Sequence, residues 1–293
     1  MRRETFGFVL GFIGVAIFGA TLPATRLAVV SFDPWFITFA RASGAALLAV
    51  MLLAVLCRPF PRRHGFLLGL ASLTLVVGFP GFSSLAMASV PASHGGVVLG
   101  VLPLATAAAA VIVNGERPSP VFWLLAVLGA GLVTAFALRD GPGGPLGGFA
   151  AGDIWLAAAA ASAALGYAIS GRLARQMPGW EVISWALLIA LPVAAPLTAL
   201  LWQPAYLAAP GSHWAALGYL AVFSMFLGFF AWNAGLALGG VARVGQVQLL
   251  QTFITLAISA AILGEAVSGE MLAFALAVSA IVLLGAKARV GRS

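Results

Sequence analysis

Acidic side chains are nearly missing from this sequence, with eight Asp and Glu in 293 residues. None falls in the middle of an apolar run, which disfavours a carrier that trades protons for substrate on an intramembrane carboxylate. Cysteine occurs once, as Cys57, so an intramolecular disulfide framework is excluded. The three histidines sit away from the centres of the apolar runs. With no central acid beside them, neither a serine–histidine dyad nor a metal site can be assembled. The sequence therefore reads as a non-enzyme without cofactor. Charged residues of both signs make up only 8% of the chain, against roughly 25% in a soluble domain. Such a surface could not be kept in water.

What fills the chain instead is apolar and small: 62% hydrophobic residues and 35 glycines, with a mean hydropathy of +1.09. The net charge of +7 comes from 15 basic residues scattered singly or in twos and threes, a pattern that points to loops rather than to nucleic acid. Cutting at charge, Pro and Gly clusters yields ten segments long enough to cross a bilayer, which takes ~20 apolar residues. They are 6–28, 34–56, 65–88, 91–113, 118–138, 152–174, 180–202, 212–237, 243–263 and 268–287. Phe6–Ala20 has the basic leader and apolar body of a signal peptide but no small-residue cleavage site, and is read as part of the first spanning helix. Strands are not expected, because no run alternates as a barrel strand does.

Orientation follows from the basic residues. With the N-terminus inside, Arg2, Arg3, Arg58, Arg62, Arg63, Arg117, Arg172, Arg175, Arg243, Lys287, Arg289 and Arg292 are cytoplasmic, 12 of the 15. Only Arg26 and Arg139 fall outside, and Arg41 lies within the second segment. That asymmetry is the positive-inside pattern for ten helices with both termini in the cytoplasm. Trp35, Trp155, Trp180, Trp202 and Trp214 stand near segment ends as interfacial anchors, whereas Trp185 and Trp232 sit deeper.

A Gly- and Pro-rich stretch from Arg139 to Gly152 divides the segments five and five. The expected organisation is a first repeat at 1–140, a linker at 141–151 and a second repeat at 152–293. The fourth segment runs into VIVNGERPSP and the ninth into AAILGEAVSG, so Glu116 and Glu265 correspond, 149 residues apart. Pro34-Trp35 and Gly179-Trp180 open the second and seventh segments, 145 apart. Five is odd, so the second copy would enter the membrane from the opposite side, an inverted repeat of the kind many transporters use.

The run FGATLPATRLAVVSFDPWFITFARASGAALL resembles the opening of the drug/metabolite transporter superfamily in its EamA-type branch. The matching positions are Arg26, Pro34, Phe39, Ala40 and Arg41. LPLATAAAAVIVNGERPS is similar to that family's fourth helix, with Pro103, Gly115, Glu116 and Arg117. The second half keeps only Gly264 and Glu265, with Thr252 where the family often repeats the proline. The resemblance implies a ten-helix carrier of the bacterial inner membrane exporting amino acids or other small metabolites. Within the family the chain looks most like the YddG-type aromatic amino acid exporters. It also implies a central cavity built largely from helices 1, 3, 4, 6, 8 and 9.

Candidate substrate contacts follow. Gln248, Thr252, Thr255 and Ser259 stack on one face of the ninth helix, with Gln251 beside them and Gln246 near the inner mouth. Amides both donate and accept, matching an amino acid's two charged groups without burying a net charge; the same polar residues could equally bond neighbouring helices. Phe79, Ser83 and Met87 follow helical spacing, as do Met225, Phe229 and Trp232, with Asn233 adjacent. Ser162, Gly166 and Ser170 form a small-residue face beside Tyr167. Packing is the alternative role for each set, while together they would make an apolar-walled site with a few polar contacts.

Arg41 is expected to snorkel outward or bond backbone carbonyls, because the resemblance makes the second helix peripheral; an anchor for a substrate carboxylate is the alternative. His94, at the outer end of helix four, is read as structural or solvated, with a pH-sensitive gate as the other option. His64 and His213 are expected to face water. Glu116 and Glu265 are expected to bond N–H groups at the start of the following helix. Pro80, Pro103, Pro192 and Pro196 can kink their helices. Gly7/Gly11, Gly65/Gly69 and Gly96/Gly100 would mark close helix contacts, within or between chains.

The leading expectation is a secondary transporter working by alternating access, a monomer or weak oligomer whose partners are a small-molecule substrate and the lipid bilayer, with no nucleic acid. Organic-anion carriage would need clustered cations at midplane, and only Arg41 is there. An intramembrane enzyme is disfavoured for want of catalytic groups, and a channel by the repeat.

Overall fold

The computed structural model describes residues 3–115, 119–139, 150–239 and 244–287. Glu116, Arg117, Arg2, Arg243, Arg289, Arg292 and most of the 141–151 linker lie outside the described residues, as do the side chains of Arg3, Gln246 and Lys287.

Every element among the described residues is helical. Eight helices are long and apolar enough to cross a membrane: α1 (Thr5–Ala28), α2 (Pro34–Val55), α3 (Arg62–Met87), α4 (Ala92–Val113), α5 (Pro120–Arg139), α6 (Ala151–Leu173), α7 (Gly179–Leu200) and α8 (Gly211–Leu238). Two shorter apolar helices follow, α9 (Leu249–Leu263) and α10 (Gly269–Leu284). Helix is the form to expect, since a backbone in lipid must satisfy its own N–H and C=O groups. The side chains are sorted the same way: Val55, Phe66, Ile112 and Leu200 point outward, while Arg41, Ser83, Asn233 and Ser259 are buried.

Local chemistry sets the helix ends. Asp33 caps α2, its Oδ1 accepting from Trp35 N at 2.8 Å and Phe36 N at 3.2 Å, with Pro34 in the first turn. The fourth and ninth helices both stop on a left-handed glycine, Gly115 at φ +67° and Gly264 at φ +66°. A Cβ is disfavoured in that conformation by ~1–2 kcal/mol. Gly264→Ala is therefore expected to lower thermal stability in detergent although nothing lies within 4 Å to clash with it; an unchanged midpoint would refute the strained cap.

Among the departures from α-helical geometry in the described residues, those in α1, α3 and α8 border the interior between the halves. In α1 the helix breaks after Gly19. Pro23 stands four residues on and has no N–H for the Gly19 carbonyl. Thr255 on α9 replaces it, its hydroxyl donating to Gly19 O at 2.7 Å. In α3 and α8, wider π-helical turns run through Ser72–Gly78 and Leu220–Leu227, beginning 148 residues apart. Such turns shift the register of the side chains that follow and recur at functional sites.

The helices pack in a pattern that maps onto itself when the halves are exchanged. α1 lies on α8 as α6 lies on α3; α1 meets α9 as α6 meets α4; α2 pairs with α7, and α5 with α10. Glycines permit the tightest crossings. Gly7 and Gly11 of α1 approach Gly235 of α8, and Gly96 and Gly100 of α4 receive Thr255 and Thr252 of α9. The third pair makes no such crossing within the chain: among the described residues Gly69 has nothing within 4 Å and Gly65 meets only the Phe60 ring, so a contact between chains is the option left to it.

Candidate functional site

The packing leaves only a narrow cleft of about 10 Å³ between the halves, room for about one water and far below the ~300–1,000 Å³ usual for small-molecule sites. Five wall residues come from α1–α3: Phe18, Thr21, Arg41, Leu75 and Phe79. Five more come from the second half: Tyr167, Ser224, Met225, Phe229 and Gln251. Leu75, Ser224 and Met225 are presented by the π-helical turns and Phe79 directly follows one, so the irregular helix geometry borders the cavity.

The aromatic wall is a continuous cluster. Phe18 lies 5.0 Å from Phe229 and 6.5 Å from Tyr167, centroid to centroid. Trp232 backs it, 6.3 Å from Phe18 and 5.7 Å from Tyr167, without itself lining the space. The polar part is formed by Arg41, Ser224, Thr21 and Gln251. Arg41 is 1% exposed and donates from Nη2 to Ser224 Oγ at 2.9 Å, and Ser224 in turn shares a 2.8 Å hydrogen bond with Thr21 Oγ1. Among the described residues Arg41 Nε and Nη1 have no acceptor, and Gln251 Oε1 has no donor.

Of the expected contacts, Phe79, Tyr167, Met225, Phe229 and Gln251 converge on this cavity. The others are placed elsewhere. Ser83 bonds back to Pro80 O at 3.1 Å. Ser170 donates to Asn233 Oδ1 at 2.9 Å while Asn233 Nδ2 donates to Gly179 O at 3.0 Å, so this pair ties α6, α7 and α8 together. Thr252 packs on Gly100. Gln248 is buried, and neither of its amide atoms has a partner.

Several expectations are corrected. Arg41 neither snorkels nor bonds a carbonyl: α2 packs against the π-helical turn of α8, and the guanidinium points inward at Ser224. His213 does not face water. It is 8% exposed in the first turn of α8, its Nδ1 2.6 Å from Ser31 Oγ. Glu265 does bond backbone N–H groups, but those of Ala92 at 2.9 Å and Ser93 at 2.7 Å, where α4 begins, rather than those of the next helix. Beside that contact His94 is buried against Asp153, Nε2 to Oδ1 at 2.7 Å. Phe18, Thr21, Leu75 and Ser224 escaped the sequence reading, since each looks like ordinary helix packing until its neighbours are known. Pro23 was the available clue for Thr21, marking the break in α1.

Among the described residues no group of three or more His, Cys, Asp or Glu is placed to hold a metal ion.

Comparison with known proteins agrees with this architecture. The chain is 42% identical over 280 residues to the uncharacterized transporter YdeK of Bacillus subtilis (strain 168), covering 95% of this chain and 96% of that protein. A solved crystal structure, at 22% identity and a TM-score of 0.64, matches 98% of this chain and 96% of its own, and so shares the fold. The EamA-like transporter family matches residues 5–136 and 150–286. With eight long apolar helices around a cavity shared by its halves, the chain belongs to the EamA-like transporter family of the drug/metabolite transporter superfamily: it is a multi-pass membrane transporter.

Proposed function

We propose that this transporter exports small metabolites, amino acids first among them, across the bacterial inner membrane by alternating access. The observation that carries the reading is the lining of this cleft, which would have to widen to admit a substrate: aromatic and apolar walls drawn equally from both halves, with an unpaired amide oxygen among them. Aromatic amino acids, the substrates of the YddG-type exporters it resembles, suit a wall of Phe18, Phe79, Tyr167 and Phe229.

In this reading the ten apolar helices all cross, with both termini cytoplasmic, and residues 1–140 and 152–293 are inverted repeats joined by the 141–151 linker. Support comes from the self-mapping packing, the two left-handed glycines 149 residues apart, the paired π-helical turns and the two blocks of the family match. Phe79, Tyr167, Met225, Phe229 and Gln251 touch the substrate, and Gln248 joins them as the walls part. Ser83, His94, Ser170, Trp232, Asn233 and Thr252 hold the helices that present them.

Counterflow in proteoliposomes against a panel of amino acids tests this. Exchange of at least one neutral amino acid is expected. Gln251→Leu is expected to cut it by tenfold or more, the scale of one lost hydrogen bond to a charged group, and Gln248→Leu by less. If the parent exchanges none of the panel, the amino acid reading fails; if both variants match the parent, the polar stripe does not serve the substrate.

A further inference from the structure

Arg41 brings a positive charge into the cleft, and no carboxylate among the described residues pairs with it. A guanidinium carries five N–H donors, and among the described residues the one acceptor it meets is Ser224 Oγ. Every described carboxylate whose side chain can be followed is committed elsewhere. Asp33 caps α2, Asp153 meets His94, Glu181 pairs with Arg58, Glu265 holds the start of α4, and Glu270 pairs with Arg139. A buried cation with idle donors is a group waiting for an anion, because desolvating a charge is tolerated only when it is paired. Gln251 Oε1 lines the same cavity and is the complementary case, a buried acceptor without a donor.

We propose that Arg41 is the carboxylate anchor of the transport site and that Gln251 Oε1 receives the amino group of the same substrate. The inference rests on the cavity being the transport site, and it narrows the substrate class to solutes bearing a free carboxylate. A single cation matched to a single amide oxygen suits one carboxylate and one ammonium; a phosphate would call for more positive charge. Amines without a carboxylate would meet Arg41 as a like charge and be rejected, a selection by repulsion as well as by attraction.

The test is counterflow by the parent protein with three solutes of equal side chain: the amino acid, its carboxyl amide and the decarboxylated amine. Exchange by the amino acid at least tenfold above the other two is expected. Arg41→Gln is expected to abolish that preference, leaving the amino acid no better than its amide. Its thermal midpoint in detergent should equal or exceed the parent's, since it removes a buried charge that lacks a counterion; a structural role for Arg41 would lower it. Equal exchange of the amino acid and its amide by the parent would overturn the anchor while leaving amino acid export standing. Exchange of the amine alone would overturn it too. A parent that exchanges none of the three removes the export reading, and the anchor with it.

Discussion

A valine at position 235 is expected to leave no correctly folded protein. A Cβ built on Gly235 lies 2.7 Å from Gly11 N, 2.9 Å from Gly7 O and 3.0 Å from Gly11 Cα. All three are backbone atoms of α1, which cannot rotate aside as a side chain can. Valine adds two further methyl groups, so α1 and α8 would have to separate. Overpacking a core that can adjust costs ~1–3 kcal/mol, and here no such adjustment exists. Separation would also pull Phe18 from Phe229 and Trp232, dismantling the cavity wall. In lipid no hydrophobic drive pushes the helices back together, since close packing is what associates them. Gly218→Ala on the same helix is the control: nothing lies within 4 Å of its added Cβ, and it should behave as the parent. Size-exclusion profiles of fluorescent fusions compare the two. A monodisperse Gly235→Val peak matching the parent would mean that this crossing is wrong.

The second large effect is expected where α4 begins. Glu265 accepts from Ala92 N and Ser93 N, and Asp153 meets His94, so three consecutive residues of the first half are held by two carboxylates of the second. Hydrogen bonds to charged groups contribute ~1.5–3 kcal/mol each. Losing all three such bonds, ~4.5–9 kcal/mol, is enough to carry a two-state equilibrium from about 1:99 past balance. Under the alternating-access reading these contacts close the outer end. A Glu265→Ala, Asp153→Ala double variant should then populate the open state. Ser259 is a suitable reporter, being fully buried with an unpartnered Oγ, so Ser259→Cys changes little by itself. In a Cys57→Ser background, labelling of that cysteine by an impermeant maleimide should rise at least tenfold in the double variant. Unchanged labelling in a protein that remains folded would show that these carboxylates do not keep this end shut.

The two predictions differ in how far each could be read in advance. Gly7 and Gly11 advertise a close contact by spacing alone, but nothing in sequence names Gly235 as the partner. Glu265 is conspicuous through its match to Glu116, and its taste for N–H groups at a helix start follows from helix electrostatics. Which helix start it finds depends on the bundle, and the adjacent one in sequence was the wrong choice. Ser170 and Asn233 look like polar contacts for a ligand because sequence does not name their partners; brought together with Gly179 O, they use up one another's hydrogen bonds. Arg41 is the reverse case. Its depth in the second segment was plain, but a long flexible side chain can snorkel or turn inward, and only the face that α2 presents to α8 decides between them.

What the sequence determined by itself was the set of apolar helices, their approximate ends, and a scarcity of charge that excludes a soluble fold. These are local matters: in hydrocarbon each segment must satisfy its backbone internally, so hydropathy over about twenty residues is nearly sufficient. The tertiary structure alone decided which polar atoms remain unpaired. Whether Arg41 and Gln251 are structural or free to bind depends on acceptors and donors brought from helices far away in sequence, and that accounting closes only when the halves are packed together.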